Sequence, residues 1–254
     1  MKRWIGAVTT LLLLSAGAAC GTDDSSSGTT TRTITVYAAS SLTSTFTELG
    51  KQFEADHKDV KVRFSFGGSS DLVAQLQQGA AADVFASADT ANMDKATGDD
   101  LVEGDPMDFA SNTLEIAVPP DNPAKVGSFH DLSNSETKVV VCAPEVPCGS
   151  AAQKVEDASG VTIKPVSEEQ SVTDVLNKVE TGEADAGLVY VTDVKAAGDK
   201  VKGIPFAESA SAVNTYPIAV LSDSKDKDLA QQFVDLVTGH AGQLALGDAG
   251  FGKP

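Results

Sequence analysis

The chain carries little positive charge. Its 254 residues include 19 lysines and arginines against 36 aspartates and glutamates, which gives a formal net charge of -17. Nucleic acids and anionic lipid surfaces are recognised through basic patches, so we expect neither as a partner. A bound anion would have to be held by local groups in a closed cleft, because salt screens the unfavourable field of the whole protein beyond about 8–10 Å.

Groups that perform catalysis are also scarce. The sequence has no G-x-S-x-G elbow and no phosphate-binding loop with its lysine. The histidines His57, His130 and His240 form no H-E-x-x-H motif or other recognisable pair. We therefore predict a protein that is not an enzyme and that needs no cofactor. A secreted hydrolase that uses one of the serines stays as an alternative, although it lacks a convincing base.

Cysteine is limited to three residues. Cys142 and Cys148 are separated by five residues, which is not the C-x-x-C spacing of thiol oxidoreductases. Neither has the neighbouring histidine or further cysteine that a metal site would need. In an oxidising compartment such a close pair is typical of a structural disulfide, which we predict here.

Long hydrophobic runs are missing too. Lys2 and Arg3 precede an apolar run at residues 4–14 that is too short for a permanent membrane helix. No run of about 18 apolar residues follows elsewhere in the sequence. A basic start, a short apolar run and small residues are typical of an export signal, so we predict a signal peptide at residues 1–19.

The small residues lead directly to Cys20, as in the lipobox of a lipoprotein. The following segment, residues 20–32, is polar and is expected to form a flexible tether, which supports an anchor on Cys20. Gly17 departs from the usual lipobox, so ordinary cleavage after Ala18 is the alternative. We expect a chain at the outer face of the cytoplasmic membrane, held there by lipid alone.

From residue 33 onward, strand and helix patterns alternate. Helix faces repeat apolar residues every three or four positions, as in Leu42, Phe46, Leu49 and Phe53. The alternation predicts an α/β protein with parallel, doubly wound sheets. Strands are predicted at residues 34–38, 60–66, 83–88, 114–118, 138–142, 187–191 and 215–221.

These elements divide into two α/β units. The last segment has one strand and two helices, too little to close a core alone, so it is expected to return to the first unit. We predict lobe 1 at residues 33–111 and 215–254, and lobe 2 at residues 112–214. Two lobes joined by two crossings are a hinge-bending architecture.

Four strand-to-helix junctions carry serine, glycine or other small residues, at positions 38–41, 66–70, 147–150 and 169–172. Ligands of open α/β sheets bind beyond the carboxyl ends of strands, where helix N-termini present free N–H groups. Serine there is more often a helix cap than a ligand contact. Paired glycines at one junction favour close approach of an anion to the backbone.

The junctions together offer hydroxyl and N–H donors but no lysine or arginine. Such a set suits a fully deprotonated oxyanion, whose oxygens must all be hydrogen-bonded when buried. A protonated phosphate would also need an acceptor. Asp71, Glu168 and Glu169 are close enough in sequence to keep that alternative open.

The same segments carry a family resemblance that covers residues 34–254. It rests on ITVYAASSLT, FSFGGSSDLVAQLQQGAAADVFASAD, VPCGSAAQKVE, QSVTDVLNKVETGEADAGLVYVTD and the closing GFGKP. These resemble the ModA-type molybdate-binding proteins of ABC transporters, a branch of the type II periplasmic binding proteins. The resemblance implies a two-lobed fold that captures molybdate or tungstate between its lobes and delivers it to a transporter permease. We expect the chain to act as a monomer.

Carried over position by position, the resemblance implies five contacts to the oxyanion. They are hydroxyl and N–H groups of Ser41 and Ser69, backbone N–H groups of Cys148 and Val172, and the phenol of Tyr190. From the residues alone, Tyr190 would be half-buried packing and Val172 helix core. A different tetrahedral oxyanion such as sulfate is the nearest alternative ligand. Ferric ion is less suitable, because the chain has only three tyrosines.

Overall fold

Two five-stranded sheets form the framework of the protein. The computed structural model describes residues 31–254. The strands in this part are β1 (Arg32–Ala39), β2 (Val60–Gly67), β3 (Val84–Ala86), β4 (Met107–Asn112), β5 (Leu114–Val118), β6 (Val139–Cys142), β7 (Ser167–Glu169), β8 (Ala186–Tyr190), β9 (Lys202–Ile204) and β10 (Asn214–Val220).

Helices pack on the faces of both sheets. They are α1 (Thr43–Asp56), α2 (Ser69–Gln77), α3 (Thr90–Gly98), α4 (Pro147–Ser159), α5 (Val172–Glu180), α6 (Val191–Ala197), α7 (Lys227–Thr238) and α8 (His240–Ala249). Four short 3₁₀ turns complete the described elements, at Ser40–Leu42, Phe129–Ser133, Gly198–Lys200 and Ala207–Ser211.

The first sheet has the strand order β2-β1-β3-β10-β4 and the second has β7-β6-β8-β5-β9. We call the units built on them lobe 1 and lobe 2. The chain passes between them twice, from β4 to β5 and again before β10. The predicted two-lobed α/β fold with two crossings is confirmed, while the residue-level domain boundaries stay a prediction.

The sheets are mixed and not purely parallel, which corrects the sequence-based expectation. In lobe 1, β2, β1 and β3 are parallel, but β10 runs antiparallel to β3 and β4. In lobe 2, β7, β6 and β8 are parallel, but β5 runs antiparallel to β8 and β9. Both β10 and β5 follow a crossing from the other lobe, so no helix crossover fixes their direction as it does in a βαβ unit.

Close packing of α5 against β8 positions one side of the cleft. Val172, Val175 and Val179 are buried on one face of α5 at helical spacing. Gly187 lies beneath them, and a Cβ there would come within 2.8 Å of Val175 and 3.0 Å of Val179. Only glycine therefore lets the helix sit this close to the strand that ends at Tyr190.

Several predictions concern the N-terminal region. The signal peptide, Cys20 and most of the tether lie outside the described residues. Arg32, the last residue of the predicted tether, belongs to β1 and forms an ion pair with Asp226 at 2.7 Å. Between residues 31 and 254, none of the helices has the length and apolar character needed to cross a membrane.

Candidate functional site

The four junctions predicted from the sequence meet at one small cavity between the lobes. All five candidate contact residues line it. The complete lining is Ala39, Ser40, Ser41, Gly67, Gly68, Ser69, Ala88, Val146, Pro147, Cys148, Val172 and Tyr190. The structure therefore brings together candidate contact residues that lie up to 149 positions apart, from Ser41 to Tyr190.

The cavity is small and its lining is uncharged. Its enclosed space is too small for an organic solute of cofactor size. None of the twelve lining residues is acidic or basic. The three acidic side chains that could have served a protonated phosphate, Asp71, Glu168 and Glu169, are absent from this lining.

Ser69 is the first residue of α2 and is 1% exposed. Its Oγ accepts a hydrogen bond from the backbone N–H of Ala88 at 3.0 Å, and Gly68, not Ser69, occupies the cap position. The helix-cap interpretation of this serine is therefore wrong. Because the Ala88 N–H can only donate, the hydroxyl proton of Ser69 stays available for another acceptor.

Ser41 lies in the 3₁₀ turn that follows β1. Its Oγ is 3.0 Å from the hydroxyl of Tyr216, and either oxygen can be the donor. Neither that turn nor α1 has a side-chain cap, so Ser41 is not a helix cap either. Tyr216 is fully buried, and burial raises the pKa of its phenol far above its usual range.

Cys148 is the second residue of α4, after Pro147. It forms a disulfide with Cys142 at the end of β6, with a Cα–Cα distance of 5.6 Å. In the described part of the chain no carbonyl accepts from the Cys148 N–H, as expected for the first turn of a helix. The disulfide thus ties a helix N-terminus that faces the cavity to the strand that precedes it.

Val172 begins α5, and its N–H also takes no carbonyl acceptor within residues 31–254. The preceding residue, Ser171, is the cap: its Oγ accepts from the N–H of Asp174 at 3.2 Å and donates to the Asp174 carboxylate at 2.7 Å. The cap interpretation is right for this serine. Val172 contributes its side chain to the core of lobe 2 and also lines the cavity, at the N-terminus of α5.

Tyr190 ends β8 and is 1% exposed, so it is fully buried and not half-buried as its position alone suggested. Its hydroxyl accepts a hydrogen bond from the Nδ2 of Asn214 at 2.9 Å. Burial raises the pKa of the phenol well above its usual range, and the nearby acidic groups Asp89 and Asp193 act in the same direction. The phenol therefore keeps its proton and is able to donate it.

A buried carboxylate lies directly behind Tyr190. Asp193, in the first turn of α6, is 6% exposed and accepts from the Tyr190 N–H at 2.9 Å. Burial raises the pKa of Asp193 from 3.8 to about 7, although the hydrogen bond from Tyr190 opposes the shift. Lobe 2 thus holds a titratable group next to one of its candidate donors.

The lobes are in contact beside the cavity. Gly68 of lobe 1 approaches the backbone of Gln170 in lobe 2 so closely that a Cβ at Gly68 would overlap the Gln170 carbonyl oxygen. The φ of Gly68 is -63°, so the backbone conformation itself is open to any residue. Glycine is needed here for the approach of the two lobes.

Sequence reasoning missed the residues that hold the donors in place. Asn214, Asn112 and Asp193 are all buried, and Tyr216 was noticed only as one of three tyrosines. Buried polar residues at the ends of strands are a usable signal, because a buried amide or carboxylate needs a specific partner. Their partners belong to distant segments, so the sequence alone gave no indication of the pairing.

Other chemistry is poorly supported by the described residues. Between residues 31 and 254 no group of three or more His, Cys, Asp or Glu side chains is placed to hold a metal ion. A larger groove of about 500 Å³ lies beside α4 in lobe 2. Its charged lining residues are Glu156, Asp157 and Glu168, which would repel an anion.

Comparison with known proteins gives a consistent family. Residues 34–252 match the model of the bacterial extracellular solute-binding proteins. The chain is 54% identical over 223 residues to the molybdate-binding protein ModA of Mycobacterium tuberculosis, covering 88% of this chain and 85% of that protein. It is 30% identical over 216 residues to ModA of Escherichia coli, covering 81% and 83%.

A solved structure shows the same fold. The periplasmic molybdate-binding protein of Azotobacter vinelandii superimposes with a TM-score of 0.72, covering 87% of this chain and 99% of that chain at 22% sequence identity. At this identity the match concerns the fold alone.

Proposed function

Since the chain belongs to the bacterial extracellular solute-binding proteins, we propose that it captures molybdate or tungstate between its lobes for delivery to an ABC transporter permease. The resemblance to ModA-type proteins noted in the sequence is confirmed by 54% identity to a molybdate-binding relative over most of the chain. The proposed contacts are Ser41, Ser69, Cys148, Val172 and Tyr190. On this proposal the protein is a binding protein and not an enzyme.

The observation that carries the proposal is the uncharged donor lining of the cavity. The hydroxyls of Ser69 and Tyr190 already accept a hydrogen bond, and in the described part of the chain the N–H groups of Cys148 and Val172 take no carbonyl acceptor. Such groups donate to a bound oxygen atom and accept little in return. A dianion buried here is stabilised only if its oxygens are all bonded, and donors approach the cavity from both lobes.

Three helix N-termini add to the donor set. Residues at the starts of α2, α4 and α5 line the cavity, and each of these helices has at least nine residues. The partial positive charge at a helix N-terminus favours an anion without a cationic side chain. This local effect explains how a chain with a net charge of -17 is able to hold a dianion.

Binding is then a closure of two lobes on the anion. Lobe 1 supplies Ser41 and Ser69, and lobe 2 supplies Cys148, Val172 and Tyr190. An anion that enters between separated lobes gains the lobe 2 contacts only when the lobes meet, so it favours the closed arrangement. The permease would recognise that closed form.

The proposal also includes export and anchoring. We propose that the chain is a lipoprotein attached through Cys20 at the outer face of the cytoplasmic membrane, that it acts as a monomer, and that lipid is its only link to the membrane. Mass spectrometry of the mature N-terminus tests the anchor: a diacylglyceryl adduct on Cys20 supports it, and an N-terminus at Ala19 without lipid contradicts it.

Calorimetric titration of the purified chain tests the ligand. We expect molybdate and tungstate to bind, and sulfate and phosphate to bind at least about 100-fold more weakly. That ratio of affinities corresponds to a difference of about 2.7 kcal/mol in binding free energy. Sulfate binding as tight as molybdate would replace the proposed ligand by the sulfate alternative. Labelling of Ser41 or Ser69 by a serine-reactive phosphonate would instead support a hydrolase.

A further inference from the structure

Two buried asparagines mark the places where the chain crosses between the lobes. Asn112 is the last residue of β4 and Asn214 is the first residue of β10, and the two are paired in the antiparallel ladder. They are 4% and 6% exposed. Buried amides persist in a fold only when their donors and acceptors are matched, so each has a defined set of partners.

The side chain of Asn214 contacts the site from both sides. Its Nδ2 donates to the carbonyl oxygen of Ala88 in lobe 1 at 2.8 Å and to the hydroxyl oxygen of Tyr190 in lobe 2 at 2.9 Å. A longer contact of 3.4 Å reaches the carbonyl oxygen of Pro147. Ala88, Tyr190 and Pro147 all line the cavity, so the amide of Asn214 contacts three of the lining residues.

The orientation of this amide is fixed by its partners. Rotating the amide by half a turn would place its Oδ1 against the carbonyl oxygens of Ala88 and Pro147, where two acceptors would face each other. The nitrogen must therefore occupy the position that faces Tyr190. An amide nitrogen has no lone pair to offer, so in this bond the Tyr190 oxygen is the acceptor.

The consequence concerns the phenol proton. With its oxygen accepting from Asn214, Tyr190 directs its O–H elsewhere, either into the cavity it lines or to the neighbouring hydroxyl of Tyr216. The bond from Asn214 thus excludes the orientation in which the phenol would donate its proton to the Asn214 side chain. When an anion occupies the cavity, its charged oxygen is a stronger acceptor than the Tyr216 hydroxyl, so the phenol donates its proton to the anion.

We propose that Asn214 is a positioning residue for anion binding, which fixes Tyr190 as a hydrogen-bond donor to the bound oxyanion. This inference rests on the proposed function. Asn112 has other partners: its Nδ2 donates to Thr192, its Oδ1 accepts from the N–H of Thr113, and a hydrogen bond also joins its side chain to the hydroxyl of Tyr216.

A double-mutant cycle on molybdate affinity tests the proposal. The four proteins are the wild type, N214A, Y190F and N214A/Y190F, each titrated by calorimetry. We expect N214A to weaken binding about tenfold when Tyr190 is present and by less than about threefold when it is replaced by phenylalanine. Equal factors in the two backgrounds would mean that Asn214 does not act through Tyr190.

A second measurement reverses the direction of the hydrogen bond between residue 214 and Tyr190, by a substitution that hardly changes the volume of the side chain. In N214D the introduced carboxylate accepts the phenol proton and competes with the anion for it, so we expect a greater loss than in N214A. N122D is the control, because the Asn122 side chain bonds to the backbone of Val126 and does not line the cavity, and it should change affinity by less than about threefold. Binding by N214D as tight as by the wild type, or an equal loss in N122D, would overturn the proposal.

The outcomes separate this inference from the proposed function. No binding of molybdate by the wild type would contradict the proposed function itself. Binding by the wild type with no coupling between Asn214 and Tyr190 would contradict this inference alone. If N214A does not fold, N214D with N214D/Y190F completes the same cycle.

Discussion

The two lobes offer donors of different kinds to one cavity. Lobe 1 contributes serine hydroxyls, of which Ser69 has its oxygen occupied by the Ala88 N–H. Lobe 2 lines the cavity with the starts of α4 and α5, where the proposed donors are backbone N–H groups, and with Tyr190 as its one hydroxyl. A side-chain donor is lost by a single substitution, whereas a backbone donor survives most substitutions that preserve the helix. Lobe 1 should therefore be the more sensitive to mutation.

The lobes also differ in how their donors are held. In lobe 2 a disulfide, a cap at Ser171 and the buried Asp193 fix the loops around the cavity. In lobe 1 the loop at Gly68 packs closely on the backbone of Gln170, and a hydrogen bond from the Ala88 N–H to the Ser69 hydroxyl joins two loops. We expect lobe 2 substitutions to act more on stability and lobe 1 substitutions more on affinity.

The largest expected effect comes from keeping the lobes apart. G68A places a methyl group against the Gln170 carbonyl, so the lobe 2 donors cannot reach an anion held by lobe 1. Losing three hydrogen bonds to a charged ligand, at about 1.5 kcal/mol each, predicts a loss of about 1,000-fold in molybdate affinity. G67A is the matched control, because its methyl group would make only an ordinary 3.5 Å contact with Leu72. Similar affinities for the two variants in calorimetric titration would contradict the importance of lobe closure.

The buried carboxylate of lobe 2 predicts a dependence of stability on pH. The pKa of Asp193 is about 7 in the folded chain against 3.8 as its ordinary value, so between these values the folded chain keeps a proton that the unfolded chain releases. This group therefore favours folding below about pH 4, and its contribution falls as the pH rises to about 7. At one pKa unit per about 1.36 kcal/mol, the total change is roughly 4 kcal/mol at most.

D193N removes this titration and keeps an oxygen to accept from the Tyr190 N–H. We expect it to be more stable than the wild type at pH 8 and to lose most of that advantage at pH 5, as measured by urea unfolding at both values. D94N, which removes a charge from an exposed position of α3, is the control for net charge. A difference between D193N and the wild type that does not change with pH would show that Asp193 ionises normally.

Removing the buried hydroxyl of lobe 1 should weaken binding by a smaller factor. S69A deletes one hydrogen bond to a charged ligand, worth roughly 1.5–3 kcal/mol, or about 10- to 150-fold in affinity. S70A is the control on the same helical turn, since the Ser70 hydroxyl is buried without a hydrogen-bond partner in the described structure. If the two variants bind molybdate equally well, Ser69 does not contact the anion.

The smallest expected effect on affinity comes from the disulfide. Replacing both Cys142 and Cys148 by alanine leaves the backbone donor at position 148 in place, so we expect affinity to fall less than about tenfold. Stability should fall by about 2 kcal/mol, the value for closing a short loop. Thermal unfolding with and without reductant measures this. Equal melting temperatures of the wild type in the two conditions would mean that the disulfide contributes no stability.

Much of the fold could be read from local patterns. The strand at Leu114–Val118 is predicted with its observed ends, and the ends of the other predicted strands are shifted by no more than two residues. The missed strands, β4, β7 and β9, are short or polar and have no alternating pattern of their own. They are strands because a neighbouring strand offers backbone partners, which is a tertiary effect.

The sequence by itself determined the alternation of strands and helices, the small residues at four junctions and the lack of any cation among them, because these depend on local composition and spacing. Only the tertiary structure decided which serine caps a helix and which faces the cavity. Ser171 is a cap because it accepts from the N–H of Asp174 in its own helix. Ser69 is not a cap, because it accepts from the N–H of Ala88 in a different segment. The tertiary structure also decided the hydrogen-bond partners of Asn214 and Asp193. A buried polar group takes its function from the partners that folding brings to it, and those partners lie far away in the chain.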